Sequence, residues 1–576
     1  MVPVATETTH PHAQGFARPR ILVPEKVSPD GLAMLTPHFD VDNIVGLSPE
    51  ELIRKIPLYD GLIVRSETKV TAAVLQAGRK LKVVARAGVG VDNIDVGAAT
   101  SQGIIIVNSP AGNIVAAAEH TIALLLATAR NIGRADGTIK EGKWERSKLV
   151  GIEVGRKTLG IIGLGKVGLK VARMAKGLGM KVIAVDPYAS ADIASQEGVE
   201  LRPSLDHILP EVDFLTIHTP LLATTLDLLS EQEFKKMKKT ARVLNVARGG
   251  VYNEAALLKA LDEGWIAGAG LDVFTSEPPA ADSVAAQLTK HPKVVATPHL
   301  GASTVEAQEN VSMDVCTQVL EILRGGHPTS AVNAPIILAE EYRKLQPSVE
   351  LVEKMAKLYA QHYVGGKGGM MGGRKFELIY HGDLATMPNT KPLFAALVKG
   401  LLASFSTSHV NIVNAALIAK EKGIIVSETY ASDTKNLLFA NMVTLRAHSN
   451  GDDGEPVTEQ VIEGYTSDQR GFITKLDRFN GTFEPAGTLI ILHNYDQPGK
   501  IGGVGMVLGE HGININSMQV ASLDPGRTES REERKRGATA DNEALMILGV
   551  EGPVNGQVVE DLRRSAGVLD VSLVRL

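Results

Sequence analysis

From Thr158 to Gly168 the chain reads Thr-Leu-Gly-Ile-Ile-Gly-Leu-Gly-Lys-Val-Gly, an aliphatic strand running straight into Gly163, Gly165 and Gly168 in GxGxxG spacing. The first glycine permits a tight turn, the second lets backbone approach a pyrophosphate, and the third allows a helix to pack closely on the strand. The N-terminus of the helix that follows then meets the phosphate charge. In a chain with 57 glycines such a triplet alone could be simple turn chemistry. Its context decides otherwise. Asp186 ends the next strand about twenty residues on, where a carboxylate can accept hydrogen bonds from both ribose hydroxyls and repels a 2′-phosphate. The pattern therefore predicts a dinucleotide site that takes NAD rather than NADP. Aliphatic runs at 158–163, 181–186, 213–217, 242–246, 267–273 and 294–297 alternate with helical patterns. Six strands are what a complete dinucleotide-binding sheet needs.

Composition narrows the class further. Hydrophobic residues make up 44 % and aromatics only 4 %, which suits α/β cores built from aliphatic parallel strands. Sixty basic against 65 acidic residues give a net charge of −5, so no nucleic-acid partner is expected. Cys316 is the single cysteine, which excludes an internal disulfide, and no CxxC pair exists, so no metal site is expected. The longest apolar run, 113–129, is broken by Glu119 and His120 and falls short of a ~20-residue membrane span, so no membrane partner is expected. The start of the chain has no apolar segment of the secretory kind and reads as a flexible extension, 1–19, on a cytoplasmic protein.

Upstream of the fingerprint, strands at 21–24, 61–64, 81–85 and 104–107 alternate with helices at 49–55 and 71–77, again βαβ units, before a long helix from Gly112 to about Arg130. A second long helix, 303–323, closes this half of the chain. Residues 340–363 read as helix, and the glycine–methionine stretch 365–373 as a loop. The last block, strand 488–493, helix 503–511, strand from 513, strand 544–550, helix 555–565 and strand 568–575, has the βαββαβ ferredoxin-like order. Its charged, aromatic-free insertion 527–542 reads as a mobile loop.

Three polar residues follow late strands of the dinucleotide sheet: Arg248 in Asn-Val-Ala-Arg-Gly-Gly, Glu277 in Val-Phe-Thr-Ser-Glu-Pro and His299 in Thr-Pro-His-Leu-Gly. The carboxyl ends of parallel strands face the ligand crevice, so all three can converge on the cofactor. An arginine can hold a carboxylate bidentately, a histidine can take a proton near neutrality, and a carboxylate can orient that histidine. Any one alone could be a loop ion pair or a capped turn. Three in one cofactor sheet point to proton-coupled redox chemistry on a small acid.

These strings, with Val-Arg65-Ser66, Arg86-Ala-Gly-Val-Gly-Val-Asp-Asn-Ile-Asp95, Asn108-Ser-Pro-Ala-Gly-Asn113 and Gly142-Lys-Trp-Glu-Arg146, resemble the D-isomer-specific 2-hydroxyacid dehydrogenases. The resemblance implies an NAD-dependent enzyme with Arg248, Glu277 and His299 as catalytic residues. It implies cofactor contacts from Gly163, Gly165, Lys166, Val167, Gly168, Asp186, Thr219, Ala247, Asp272 and His299. Substrate contacts would come from Arg65, Ser66, Arg86, Asn113, Arg146, Arg248 and His299, with Arg146 reaching from a partner subunit. It further implies a Rossmann-type NAD-binding domain (111–301) and a discontinuous flavodoxin-like substrate domain (20–110 and 302–335). The remainder resembles the long branch of this family, which oxidises D-3-phosphoglycerate for serine synthesis, with an α+β intervening domain (340–485) and an ACT domain (486–576). In that branch L-serine is the effector, bound across a dimer interface, here expected at Asn494, Asp496 and Asn514 on a first loop and a facing strand start, in a homotetramer. A dinucleotide-sensing corepressor is the competing class, but it has no use for residues 340–576.

Overall fold

The computed structural model describes residues 18–335, 337–364, 375–405, 409–431, 439–448, 459–523 and 543–576. The expected loops at 365–373 and 527–542 and most of the N-terminal extension lie outside these residues.

Five strands, β1 (Arg20–Val23), β2 (Asp40–Asn43), β3 (Gly61–Val64), β4 (Val83–Arg86) and β5 (Ile105–Asn108), form a parallel sheet in the order β2-β1-β3-β4-β5. This is the flavodoxin-like order. Ile21, Leu22, Leu62, Ile63, Val83 and Val84 are fully buried because helices cover both faces, which is why these strands read as unbroken aliphatic runs. The helix Val305–Leu323 supplies one cover. Its Val315, Cys316 and Val319 pack against Ile21, Val23 and Ile63, so the chain returns to its first sheet after building its second. Burial holds the Cys316 thiol up at about 12, which makes it a packing group rather than a nucleophile.

The second sheet contains β6 (Thr158–Ile162), β7 (Lys181–Val185), β8 (Glu200–Leu201), β9 (Phe214–Ile217), β10 (Arg242–Asn245), β11 (Gly268–Leu271) and β12 (Val294–Ala296), ordered β12-β11-β10-β9-β6-β7-β8. All neighbours are parallel, and the order reverses between β6 and β9, where dinucleotides bind in doubly wound sheets. The sheet has seven strands rather than the six expected. β8 is a two-residue edge strand with no apolar run to betray it. The polar edge strand β2 likewise has no apolar run.

The remaining ten strands run β13 (Lys375–Gly382), β14 (Ile425–Ala431), β15 (Asn441–His448), β16 (Glu459–Ser467), β17 (Arg470–Leu476), β18 (Phe479–Phe483), β19 (Thr488–Tyr495), β20 (Asn514–Leu523), β21 (Glu543–Glu551) and β22 (Val568–Arg575). They form one sheet ordered β14-β13-β15-β16-β17-β18-β20-β21-β19-β22. The last four strands, with helices Lys500–Glu510 and Gly556–Arg563, have the βαββαβ arrangement. β18 joins β20 through the pairs Phe479–Leu523 and Asn480–Ser522. At the opposite edge, Gln361 exchanges two 2.9 Å hydrogen bonds with the backbone of Arg575 in β22. Both edges of the ferredoxin-like unit are thus met by the segment before it. This block touches the first sheet through Asn411, whose Nδ2 donates to the Gly103 carbonyl at 2.6 Å.

Candidate active site

His299 follows β12 and Glu277 follows β11, and adjacency of those strands brings the two side chains together. His299 Nδ1 and Glu277 Oε2 are 2.6 Å apart, while the Phe274 amide donates to Glu277 Oε1 at 2.9 Å. Burial pushes the Glu277 carboxyl up, but the hydrogen bonds to His299 and Phe274 N–H outweigh it and leave it below the usual range. An anionic Glu277 fixes Nδ1 as the protonated nitrogen, so Nε2 is free to accept a proton. His299 sits in the left-handed region, φ 54°, a costly conformation for a histidine that the surrounding bonds must enforce. A cavity of about 500 Å³ opens beside the pair, lined also by Phe274, Pro278, Pro279 and Pro298.

Asp272, at the end of β11, organises the histidine's loop. Its Oδ1 accepts from Thr297 Oγ1 (2.6 Å) and Leu300 N (2.7 Å), and its Oδ2 from Gly301 N (2.8 Å). Its backbone carbonyl takes the His299 N–H at 3.0 Å. His120 Nε2, from the helix Ile114–Ala129, lies 3.1 Å from Oδ1 and 3.0 Å from Thr297 Oγ1. Burial raises this carboxyl, yet the bonds from His120, Thr297 and Leu300 prevail and hold it below the ordinary aspartate value. His120 and Thr297 were not singled out in the sequence. The only signal was an ionisable Glu119-His120 pair interrupting an apolar helix.

Arg248 follows β10. Asn245 holds its turn, with Nδ2 donating to the Arg248 carbonyl (2.7 Å) and Oδ1 accepting from Ala247 N (2.9 Å). Across the cleft, Arg65 follows β3 and Arg86 ends β4. Glu25 Oε1 accepts from the Arg65 and Thr68 amides at 2.9 Å each, and Oε2 from Glu67 N at 3.2 Å, so one buried carboxylate shapes the Arg65 loop. Arg86 Nη1 donates to the Gly90 carbonyl, and Arg86 Nε to the Arg65 carbonyl at 3.3 Å. Burial, then the neighbouring Arg248 charge, lowers the Arg86 guanidinium. Ser66 is exposed beside Arg65, and Asn113 stands at the start of the helix Ile114–Ala129 without a capping bond. Arg146 is exposed on the turn Arg146–Lys148 and makes no ion pair among the described residues.

The fingerprint loop fits a dinucleotide. Gly163 has φ 89°, which favours glycine, and a Cβ there would meet the His218 carbonyl at 2.7 Å. A Cβ on Gly168 would collide with the Gly163 carbonyl, whereas Gly165 faces open space where backbone can approach a phosphate. Lys166 and Val167 open the helix Lys166–Gly177. The Asp186 carboxylate is held by Leu164 N (2.7 Å) and Tyr188 N (2.8 Å) at the end of β7. Thr219 Oγ1 is buried beside this loop without a partner, a polar atom a bound nucleotide can satisfy.

The effector residues part company. Asn494 lies in β19, not in a loop. It is buried, its Nδ2 donates to the Tyr495 carbonyl at 2.9 Å, and its Oδ1 has no partner. Asp496 is exposed just after it. Asn494 pairs with Ala544 and Asn514 with Glu551, seven residues along β21, so the two asparagines stand roughly 23 Å apart at opposite ends of the sheet. The helix between β19 and β20 returns the chain to the start of the sheet, so within one chain these positions stand apart, and a site shared by them has to be completed by a second copy.

Residues 122–301 match the family described as D-isomer specific 2-hydroxyacid dehydrogenase, NAD binding domain, and with the two parallel sheets this defines the class of fold and cofactor. A solved pyruvate reductase of Chlamydomonas reinhardtii is similar over 54 % of this chain and 98 % of its own, with 28 % identity and a TM-score of 0.50. Residues 344–461 match the D-3-phosphoglycerate dehydrogenase intervening domain. Over 574 residues the chain is 42 % identical to D-3-phosphoglycerate dehydrogenase 2, chloroplastic, of Arabidopsis thaliana, covering 97 % of this chain and 87 % of that one. It is 39 % identical over 558 residues to the D-3-phosphoglycerate dehydrogenase of Archaeoglobus fulgidus, covering 97 % and 100 %. The chain belongs to the D-3-phosphoglycerate dehydrogenase family. Among the described residues no helix is long and apolar enough to cross a membrane.

Proposed function

We propose that His299 and Glu277 do the proton work in an NAD-dependent oxidation of D-3-phosphoglycerate to 3-phosphohydroxypyruvate, the first step of the phosphorylated serine pathway. The 2.6 Å His299–Glu277 pair at the carboxyl edge of the NAD-binding sheet carries this reading. His299 Nε2 takes the C2 hydroxyl proton as the C2–H bond gives up its electron pair, and Glu277 stabilises the imidazolium that forms. Arg248 holds the substrate carboxylate and the oxygen that becomes the carbonyl. NAD supplies the hydride acceptor, held by Gly163, Gly165, Lys166, Val167, Gly168, Asp186, Thr219, Ala247 and Asp272. Arg65, Ser66, Arg86 and Asn113 bind the rest of the substrate, with the arginines on its phosphate.

The domain limits we adopt are 20–110 with 302–335 for substrate, 111–301 for NAD, 340–485 for the intervening domain and 486–576 for the ACT domain. We take the assembly to be a homotetramer, and the helix Ile132–Lys140, which buries none of its residues, with exposed Trp144 beside Arg146 supports a subunit contact there. In that assembly Arg146 enters a partner's site. L-serine is the effector, with Asn494 and Asp496 of one copy meeting Asn514 of another. The reducing cytoplasm suits a chain with one buried thiol. The test is NADH formation across a panel of D-2-hydroxyacids. Saturable turnover of D-3-phosphoglycerate with the highest kcat/KM supports the reading, and a preference for glycerate or lactate refutes the phosphate assignment.

A further inference from the structure

Arg248 does not stand open for a ligand. Its Nε lies 3.4 Å from Oδ2 of Asp92, which sits on the loop after β4 in the unit that carries Arg65 and Arg86. Among the described residues this is the one ion pair linking the unit of the first sheet to that of the second. Arg248 Nη1 donates to the Ala247 carbonyl at 2.7 Å, and Gly90 closes over Nη2 so tightly that a Cβ there would collide with it. The guanidinium edge that remains is therefore engaged by a carboxylate of the protein itself. Asp92 makes no side-chain hydrogen bond among the described residues, and its side chain is 71 % exposed, so it can swing to solvent without breaking a hydrogen bond.

We propose that Asp92 is an internal stand-in for the substrate carboxylate: it occupies Arg248 while the cleft is empty and yields the guanidinium when the substrate arrives. This rests on Arg248 being the carboxylate holder, as read above. Arg248 and Arg86 both close on Gly90, Arg86 Nη1 at its carbonyl and Arg248 Nη2 over its Cα, and the Asp92 charge favours the charged form of Arg86. Without a carboxylate the two cations repel, so an anion is wanted there at all times. The resident one is tethered and competes with every incoming carboxylate. Weak monocarboxylates lose that competition. A substrate that also anchors its phosphate on Arg65 and Arg86 wins it, because the second contact makes the exchange intramolecular.

Steady-state kinetics of Asp92→Asn and Asp92→Glu, with malonate as a carboxylate-only inhibitor, test the exchange. Removing the competing charge from an exposed pair should lower both the KM for 3-phosphoglycerate and the Ki for malonate by about two- to fivefold. The effect should fall on KM rather than kcat and shrink as salt rises. Asp92→Glu should restore both constants toward the wild type. A tenfold loss of kcat with KM unchanged or raised would mean that Asp92 only positions Arg248, and it would overturn the proposal. Arg248→Gln separates the two levels. If it loses affinity for substrate and malonate while Asp92→Asn changes neither, the stand-in fails and the reading of the site stands. If Arg248→Gln keeps wild-type constants, the carboxylate role of Arg248 itself is wrong.

Discussion

Replacing Asp272 by asparagine tests whether one buried carboxylate holds the catalytic loop. The side chain is fully enclosed, and four donors converge on its two oxygens: His120, Thr297, Leu300 N–H and Gly301 N–H. An asparagine has the same shape but one acceptor. With its oxygen kept toward the three-donor side, its amide faces the Gly301 N–H, 2.8 Å from the oxygen it replaces. An orphaned buried donor costs about 1–3 kcal/mol, and loss of charge assistance in the remaining bonds adds about 1 kcal/mol. A total of roughly 2–4 kcal/mol corresponds to a fall of about 3–6 °C in the transition of the catalytic half, followed by circular dichroism. Turnover should fall with it, since the loop carries His299. The pH dependence has a definite sign. The Asp272 carboxyl is held below its ordinary value, so its contribution is complete above the unfolded pKa of about 3.9 and is lost as pH falls through the lower folded value. The gap between wild type and variant should stay constant from neutral to mildly alkaline pH and shrink in acid. A fall of under about 2 °C at neutral pH, or a gap that widens on acidification, would refute the reasoning.

His299→Ala should cut kcat by about 10²–10⁴-fold with NAD affinity largely kept, measured by turnover and by cofactor titration. Asp186→Ser removes the repulsion of a 2′-phosphate, so the ratio of NADP to NAD kcat/KM should rise; a wild type that already prefers NADP would contradict this. Arg65→Ala should raise KM for 3-phosphoglycerate far more than for an unphosphorylated D-hydroxyacid, and equal effects would make Arg65 structural. Millimolar L-serine should inhibit the wild type and lose most of its effect on Asn514→Ala, with binding followed by calorimetry; an unaffected wild type would mean that the C-terminal unit answers to another ligand.

The sequence by itself determined the parallel α/β character of both catalytic units, because a strand buried on two faces must be aliphatic and its runs stand out against polar loops; that the substrate unit is discontinuous came only with the family resemblance. The glycine fingerprint and Asp186 were legible for a related reason: a tight turn, a close approach and a ribose acceptor each permit very few residue types. Arg248, Glu277 and His299 could be named because the carboxyl ends of parallel strands all open on one crevice. Only the tertiary structure decided what holds them. Glu25 beneath the Arg65 loop, His120 behind Asp272 and Asp92 against Arg248 come from segments far apart in the chain, and a lone acid or histidine carries no periodicity that announces its partner. The short polar edges β2 and β8 were silent because edge strands need no apolar run. The serine residues show the limit most clearly. Asn494 and Asn514 are only twenty positions apart, but the helix between parallel strands carries the chain back along the sheet, so nearness in sequence became distance in space.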